Sequence, residues 1–218
     1  MHAPCSPIAA LLLAMLTTNS AGAQLMSTCV ANSPERRGEL GCSIIQDKLL
    51  PADLKEPLFL HIDRFDPGEH AHATVGSAST EFVAAGTSWL ITIESRASNH
   101  HGGRHVERVG PLPLPRAARY SVQVLSAAFG PGMYSLAHQH SGVEAVYVID
   151  GDACYETPTR AVKLQKGETV TLPTGTPMRA VVTGSTTRRV LAVIVYDAAQ
   201  PATTRMADEM APELLRCK

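Results

Sequence analysis

From Pro57 onward, apolar and polar residues follow one another in short runs rather than at helical spacing. Between Tyr120 and Asp197 the runs are YSVQVLSAAF, MYSLAHQH, VEAVYVID, ACYET, AVKLQ, TVTLP, MRAVVT and RRVLAVIVYD. They are rich in β-branched and aromatic residues and are broken by Gly, Pro, Ser and Asp. Short strands separated by regular turn signals predict an antiparallel sandwich or barrel. Earlier runs, LFLHID, TEFVAA and SWLITIES, predict further strands between residues 56 and 110. NHHGGRH (99–105) reads as a Gly-containing loop and GPLPLP (110–115) as a stiff connector. Residues 24–55 read as an irregular lead-in. Thr204–Arg216 mixes Met, Leu and Ala with acids and reads as a short closing helix.

The amino end changes the picture of where the chain works. Ile8–Leu16 is an apolar run too short to span a bilayer, and it is followed by the small residues of AGA and then Gln24. That order predicts a signal peptide over residues 1–23, cleavage near Ala23 and an exported (periplasmic or secreted) chain. The remainder is long enough for one well-buried domain. The formal charge of −1 and the lack of a basic patch argue against nucleic acid as a partner. No other apolar run is long enough for a membrane span. Cleavage leaves Cys29, Cys42, Cys154 and Cys217. An even count in an exported chain permits disulfides. Cys29–Cys42 is the local choice, and Cys217 can reach Cys42 or Cys154 instead.

The candidate chemistry lies in HQHSGVEAVYVIDG, residues 138–151. In a strand, residues i and i+2 share a face, so His138 and His140 project together. Glu144 shares a face with Val146 and Val148 on the strand that follows. If both faces look into a barrel, two imidazoles and one carboxylate meet in an apolar cup. A carboxylate buried alone is costly, and a divalent cation removes that penalty.

These residues resemble the first motif of the cupins, G-x5-H-x-H-x3-E-x6-G, at every defined position: Gly132, His138, His140, Glu144 and Gly151. The second motif, G-x5-P-x-G-x2-H-x3-N, begins with Gly167, Pro173 and Gly175 and then departs. Met178 stands at the histidine position and Val182 at the asparagine position. The resemblance spans about residues 118–197 and implies an all-β cupin jelly-roll barrel. The chain then divides into a signal peptide (1–23), a lead-in and β-strand extension (24–117), the barrel (118–197) and a tail with the closing helix (198–218). The extra strands of 56–110 would extend one sheet of the barrel or cover its mouth, or be the degenerate first half of a two-cupin chain. Pairing of cupins through their sheets suggests a homodimer by analogy.

The resemblance places His138, His140 and Glu144 where cupins hold three of four metal ligands, with Met178 in the fourth ligand position. A thioether is a soft ligand that suits Cu(I) better than iron, manganese or zinc. Either Met178 is pocket wall beside a three-ligand site, or the cup has lost its metal. For an exported chain, affinity order favours zinc or copper over iron or manganese, and zinc is ranked first of the two. The implied function is a metal-dependent enzyme of isomerase, lyase, hydrolase or dioxygenase type acting on a small polar molecule. The alternative is a non-catalytic cup for a sugar or organic acid. The catalytic group is unassigned; strand parity puts Tyr134 on the histidine side as a candidate proton donor, with a core aromatic as the plainer reading. The histidines of GEHAHA (68–73) and HHGGRH (100–105) read as solvated loop residues.

Overall fold

The computed structural model describes residues 25–26, 30–31, 40–66, 69, 78–96, 102–207 and 214–217, and the described chain is all β. The predicted signal peptide lies outside the described residues. Two short strands, β1 (Leu25–Met26) and β2 (Val30–Ala31), precede β3 (Gly41–Leu49). A second group holds β4 (Phe59–Phe65), β5 (Ser79–Ala84), β6 (Thr87–Glu94) and β7 (Arg104–Val109). The remaining strands are β8 (Tyr120–Phe129), β9 (Tyr134–Ser135), β10 (His138–His140), β11 (Gly142–Asp150) and β12 (Ala153–Glu156). They continue with β13 (Ala161–Leu164), β14 (Thr169–Leu172), β15 (Arg179–Val182), β16 (Arg188–Asp197) and β17 (Thr203–Arg205).

Six strands in the order β14-β11-β16-β8-β3-β2 form one wall of the barrel, and β1-β9-β15-β12-β13 form the facing wall. Strands β10 and β17 pair as a two-stranded ribbon. The walls meet on a core that includes Leu125, Phe129, Val146, Val148, Ala180 and Ile194. This is the predicted jelly-roll, and the strands between Tyr120 and Asp197 fall on the predicted runs. The lead-in is more regular than its sequence suggests. Gly41–Leu49 pairs with β8 along its length, with a bulge between Ile44 and Gln46. The bulge resets the alternation so that Asp47 reaches the interior face.

The strands between 56 and 110 neither extend a barrel sheet nor cover its mouth. They form a separate four-stranded sheet in the order β5-β6-β4-β7. Its apolar face, with Leu60, Ile62, Ile91 and Ile93, packs on Val124, Ala145, Leu191 and Val193 from the outer face of the six-stranded wall. Strands β11 and β16 are therefore covered on both sides. That explains why VEAVYVI and VLAVIVY are nearly continuous apolar runs where a one-sided strand would alternate. Trp89, expected as a core aromatic, is buried here and donates from Nε1 to the Ala84 carbonyl at 3.0 Å.

The closing helix is not seen among the described residues. Thr203–Arg205 is strand β17 and residues 214–217 are not helical, while 208–213 lie outside the described residues. Pairing of β17 with β10 supplies backbone partners that outweigh the weak helical preference of a short Thr-Thr-Arg segment. Cys154 and Cys217 form a disulfide, and Cys42 is disulfide-bonded as well.

Candidate metal and ligand site in the barrel

The chain crosses between sheets at Ser141. His138 and His140 lie on the β10–β17 ribbon, whereas Glu144 lies on β11 in the six-stranded wall. On either side of the crossing, His138, His140 and Glu144 turn into the barrel interior. Gly142 between them admits no side chain, because a Cβ would collide with the Val195 carbonyl oxygen and Tyr196 on β16. The glycine thus lets β11 close against β16 and brings Glu144 toward the histidines. All three polar side chains line a cavity of about 570 Å³ with a mostly apolar wall.

His138 Nδ1 lies 2.7 Å from the Leu136 carbonyl, and His140 Nδ1 lies 3.1 Å from the Ala202 carbonyl. A carbonyl only accepts, so each neutral ring carries its proton on Nδ1 and presents the Nε2 lone pair. Thr203 Oγ1, 3.0 Å from His140 Nδ1, braces the same atom. The two rings meet edge to face with centroids 5.0 Å apart. His140 Nε2 and Glu144 Oε2 are buried, lack hydrogen-bond partners and lie 3.6 Å apart.

That approach is not an ion pair. Burial lowers His140 to a pKa of about 4 and so keeps it neutral near pH 7. Burial also raises Glu144 to about 6, against the opposing pull of His138 and Arg188. His138 is likewise lowered, first by burial and then by His140.

The donor set fits a cation by its chemistry: two imidazole lone pairs and a buried carboxylate, with two orphaned atoms facing each other. Their spacing is looser than a closed coordination shell. Among the described residues, no three His, Cys, Asp or Glu side chains are gathered tightly enough to enclose an ion.

Met178 is buried against the same cavity and forms a two-way backbone bridge with His138, N–H to carbonyl at 3.0 and 2.8 Å. Tyr134 does not line the cavity. Residues 136 and 137 interrupt the strand before His138, so the alternation does not carry through. Ser135 lines the cavity instead, and the Tyr134 ring lies under the Arg179 guanidinium at 5.1 Å. Cys154 and Glu156 face the side of β12 away from the cavity. There Glu156 accepts from Arg179 Nε at 2.8 Å, Arg216 Nη1 at 3.1 Å and the Cys217 amide at 2.8 Å. His105, expected in a loop, is in β7 and lies 2.9 Å from the buried carboxylate of Asp63. His70 and His72 lie outside the described residues.

Tyr155 and Arg188 are among the cavity residues that the sequence did not point to. Burial raises the Tyr155 hydroxyl well above the usual phenol range. Arg188 begins a strand whose alternation puts Val190, Ala192 and Ile194 on its own face. That pattern was available in RRVLAVIVY, but both faces of β16 are apolar, so the interior face could not be chosen.

The barrel and its motif define a cupin. Residues 126–194 match the cupin domain family, and this part of the chain is a domain of the cupin superfamily. Similar solved structures include a cupin domain from Bordetella pertussis Tohama I, 26% identical over 34% of this chain and 80% of that one, TM-score 0.31. A cupin-like protein from Thermotoga maritima is 19% identical over 42% of this chain and 69% of that one, TM-score 0.38. A DMSP lyase from Ruegeria pomeroyi is 21% identical over 40% of this chain and 44% of that one, TM-score 0.36. No curated protein matches the chain.

Proposed function

We propose that the barrel holds a divalent cation, zinc ahead of copper, iron or manganese, through His138, His140 and Glu144, and acts there on a small polar molecule. The observation that carries this reading is the pair of buried, unpartnered atoms, His140 Nε2 and Glu144 Oε2, facing each other across 3.6 Å. Unpaired buried polar atoms are rare in folded proteins, and a shared cation satisfies both. When bound, the metal supplies a Lewis acid for a substrate oxygen or for a water. The chain's own part is to hold both imidazoles in one tautomer through backbone carbonyls and to exclude bulk water with an apolar wall. The proposed site of action is outside the cytoplasm, after removal of residues 1–23. The Cys154–Cys217 disulfide supports that placement.

Metal analysis of protein purified from its native compartment tests the reading. About one equivalent of zinc is expected in the wild type and a large loss in His138→Ala and His140→Ala. Equal metal content in all three proteins would overturn it. A second reading, a metal-free cup that binds a small organic ligand, draws support from Met178. Its thioether is a poor ligand for zinc and stands directly across from His138.

A further inference from the structure

Arg188 is the largest fully buried side chain of the described residues, 1% exposed, and it lines the same cavity as His138, His140 and Glu144. Its guanidinium lies over the face of Phe129, its cross-strand partner, at 4.4 Å from the ring centroid. That stacking holds the plane in place and leaves its donor edges free. Nε and Nη1 are buried and have no hydrogen-bond partner.

No carboxylate lies within ion-pair distance of Arg188 among the described residues. A buried guanidinium stays protonated at ordinary pH, and leaving it unpaired is expensive. The lining of the cup therefore carries a fixed positive charge whose Nε and Nη1 donors are unused.

We infer that Arg188 anchors a carboxylate, so that the ligand of the cup is a small organic acid with its acid group on Arg188 and its other polar end toward His138, His140 and Glu144. Guanidinium forks match carboxylate geometry, and a 570 Å³ cavity has room for such a molecule. The inference rests on the cup being the ligand site, and it holds with or without a metal. Cation and Arg188 together would favour an anionic ligand further, because the lining carboxylates Asp47 and Glu144 do not balance both.

The test compares glycolate, lactate and malonate with glycolamide, lactamide and malonamide by calorimetry, on chelator-treated and zinc-loaded protein. At least one acid is expected to bind the chelated wild type at least tenfold more tightly than its amide. Arg188→Gln is expected to erase that preference. Thermal melts of Arg188→Gln check that it folds; should it not, Arg188→Lys, which keeps the charge and loses the fork, is expected to weaken acid binding several-fold. Amides that match their acids, undiminished acid binding in the folded variant, or acid binding only with zinc present would overturn the assignment. Loss of zinc binding with the acid preference intact would sink the metal reading and leave Arg188 in place.

Discussion

Met178 stands at the fourth ligand position of the proposed metal site. It lies directly across from His138 on a backbone bridge, so an imidazole there would point into the same cavity. Met178→His is expected to tighten zinc binding by at least tenfold, read by competition with a chelating dye; no change would mean that the position does not face the metal. The titrating groups of the cup also set a pH dependence for the chelated protein. The folded His140 titrates near 4 against an ordinary 6.5, so between those values the unfolded chain binds the extra proton and acid destabilises the fold. Glu144 near 6 against 4.5 acts the other way, because there the folded state binds the extra proton. His138 is lowered too, so the two histidines outweigh the single carboxylate. The expected result is a Tm lower by roughly a few degrees at pH 5 than at pH 7. Flat melts across that range would contradict it. His138 and His140 were legible as a pair from their spacing alone. Arg188 was not, since an arginine at the start of an apolar strand shows no sign of which sheet face is enclosed.

The carboxyl-terminal segment does two jobs at the level of elements. Strand β17 pairs with β10 and brings Ala202 and Thr203 to His140, so the tail orients a site residue from 63 positions away. Beyond it, the chain is tied to the outer side of β12. The Cys154–Cys217 bond closes a loop of sequence separation 63, and Glu156 gathers Arg179, Arg216 and the Cys217 amide. Replacing both cysteines by alanine is expected to lower stability by about 2–4 kcal/mol, measured by urea unfolding. An unchanged midpoint would show that the ion-pair cluster holds the tail unaided. Short strands such as β17 are hard to read in sequence because their stability comes from the partner strand and not from their own residues.

For the whole molecule, the second sheet is the part that the barrel motif does not account for. It buries the outer face of β8, β11 and β16, so that face is not open for pairing with another copy. A fragment in which residues 40–50 are joined by a short linker to 118–218 keeps β3 and would expose Val124, Ala145, Leu191 and Val193 to water. Such a patch drives association. The fragment is expected to aggregate or to run larger than a monomer on size-exclusion chromatography, whereas a soluble monomeric fragment would show that the barrel folds without its cover.

Local pattern alone established the β-character, the run of strands from Tyr120 to Asp197, and the shared face of His138 and His140. Each depends on alternation or spacing along one strand, a property of neighbouring residues. Tertiary structure decided what lies across space. It joined Gly41–Leu49 to the barrel, laid the second sheet on the outside, paired Cys154 with Cys217 and turned Arg188 rather than Tyr134 into the cavity. The reason is physical: where both faces of a strand are apolar, alternation names two sides but not which of them is enclosed, and only the packed neighbour makes that choice.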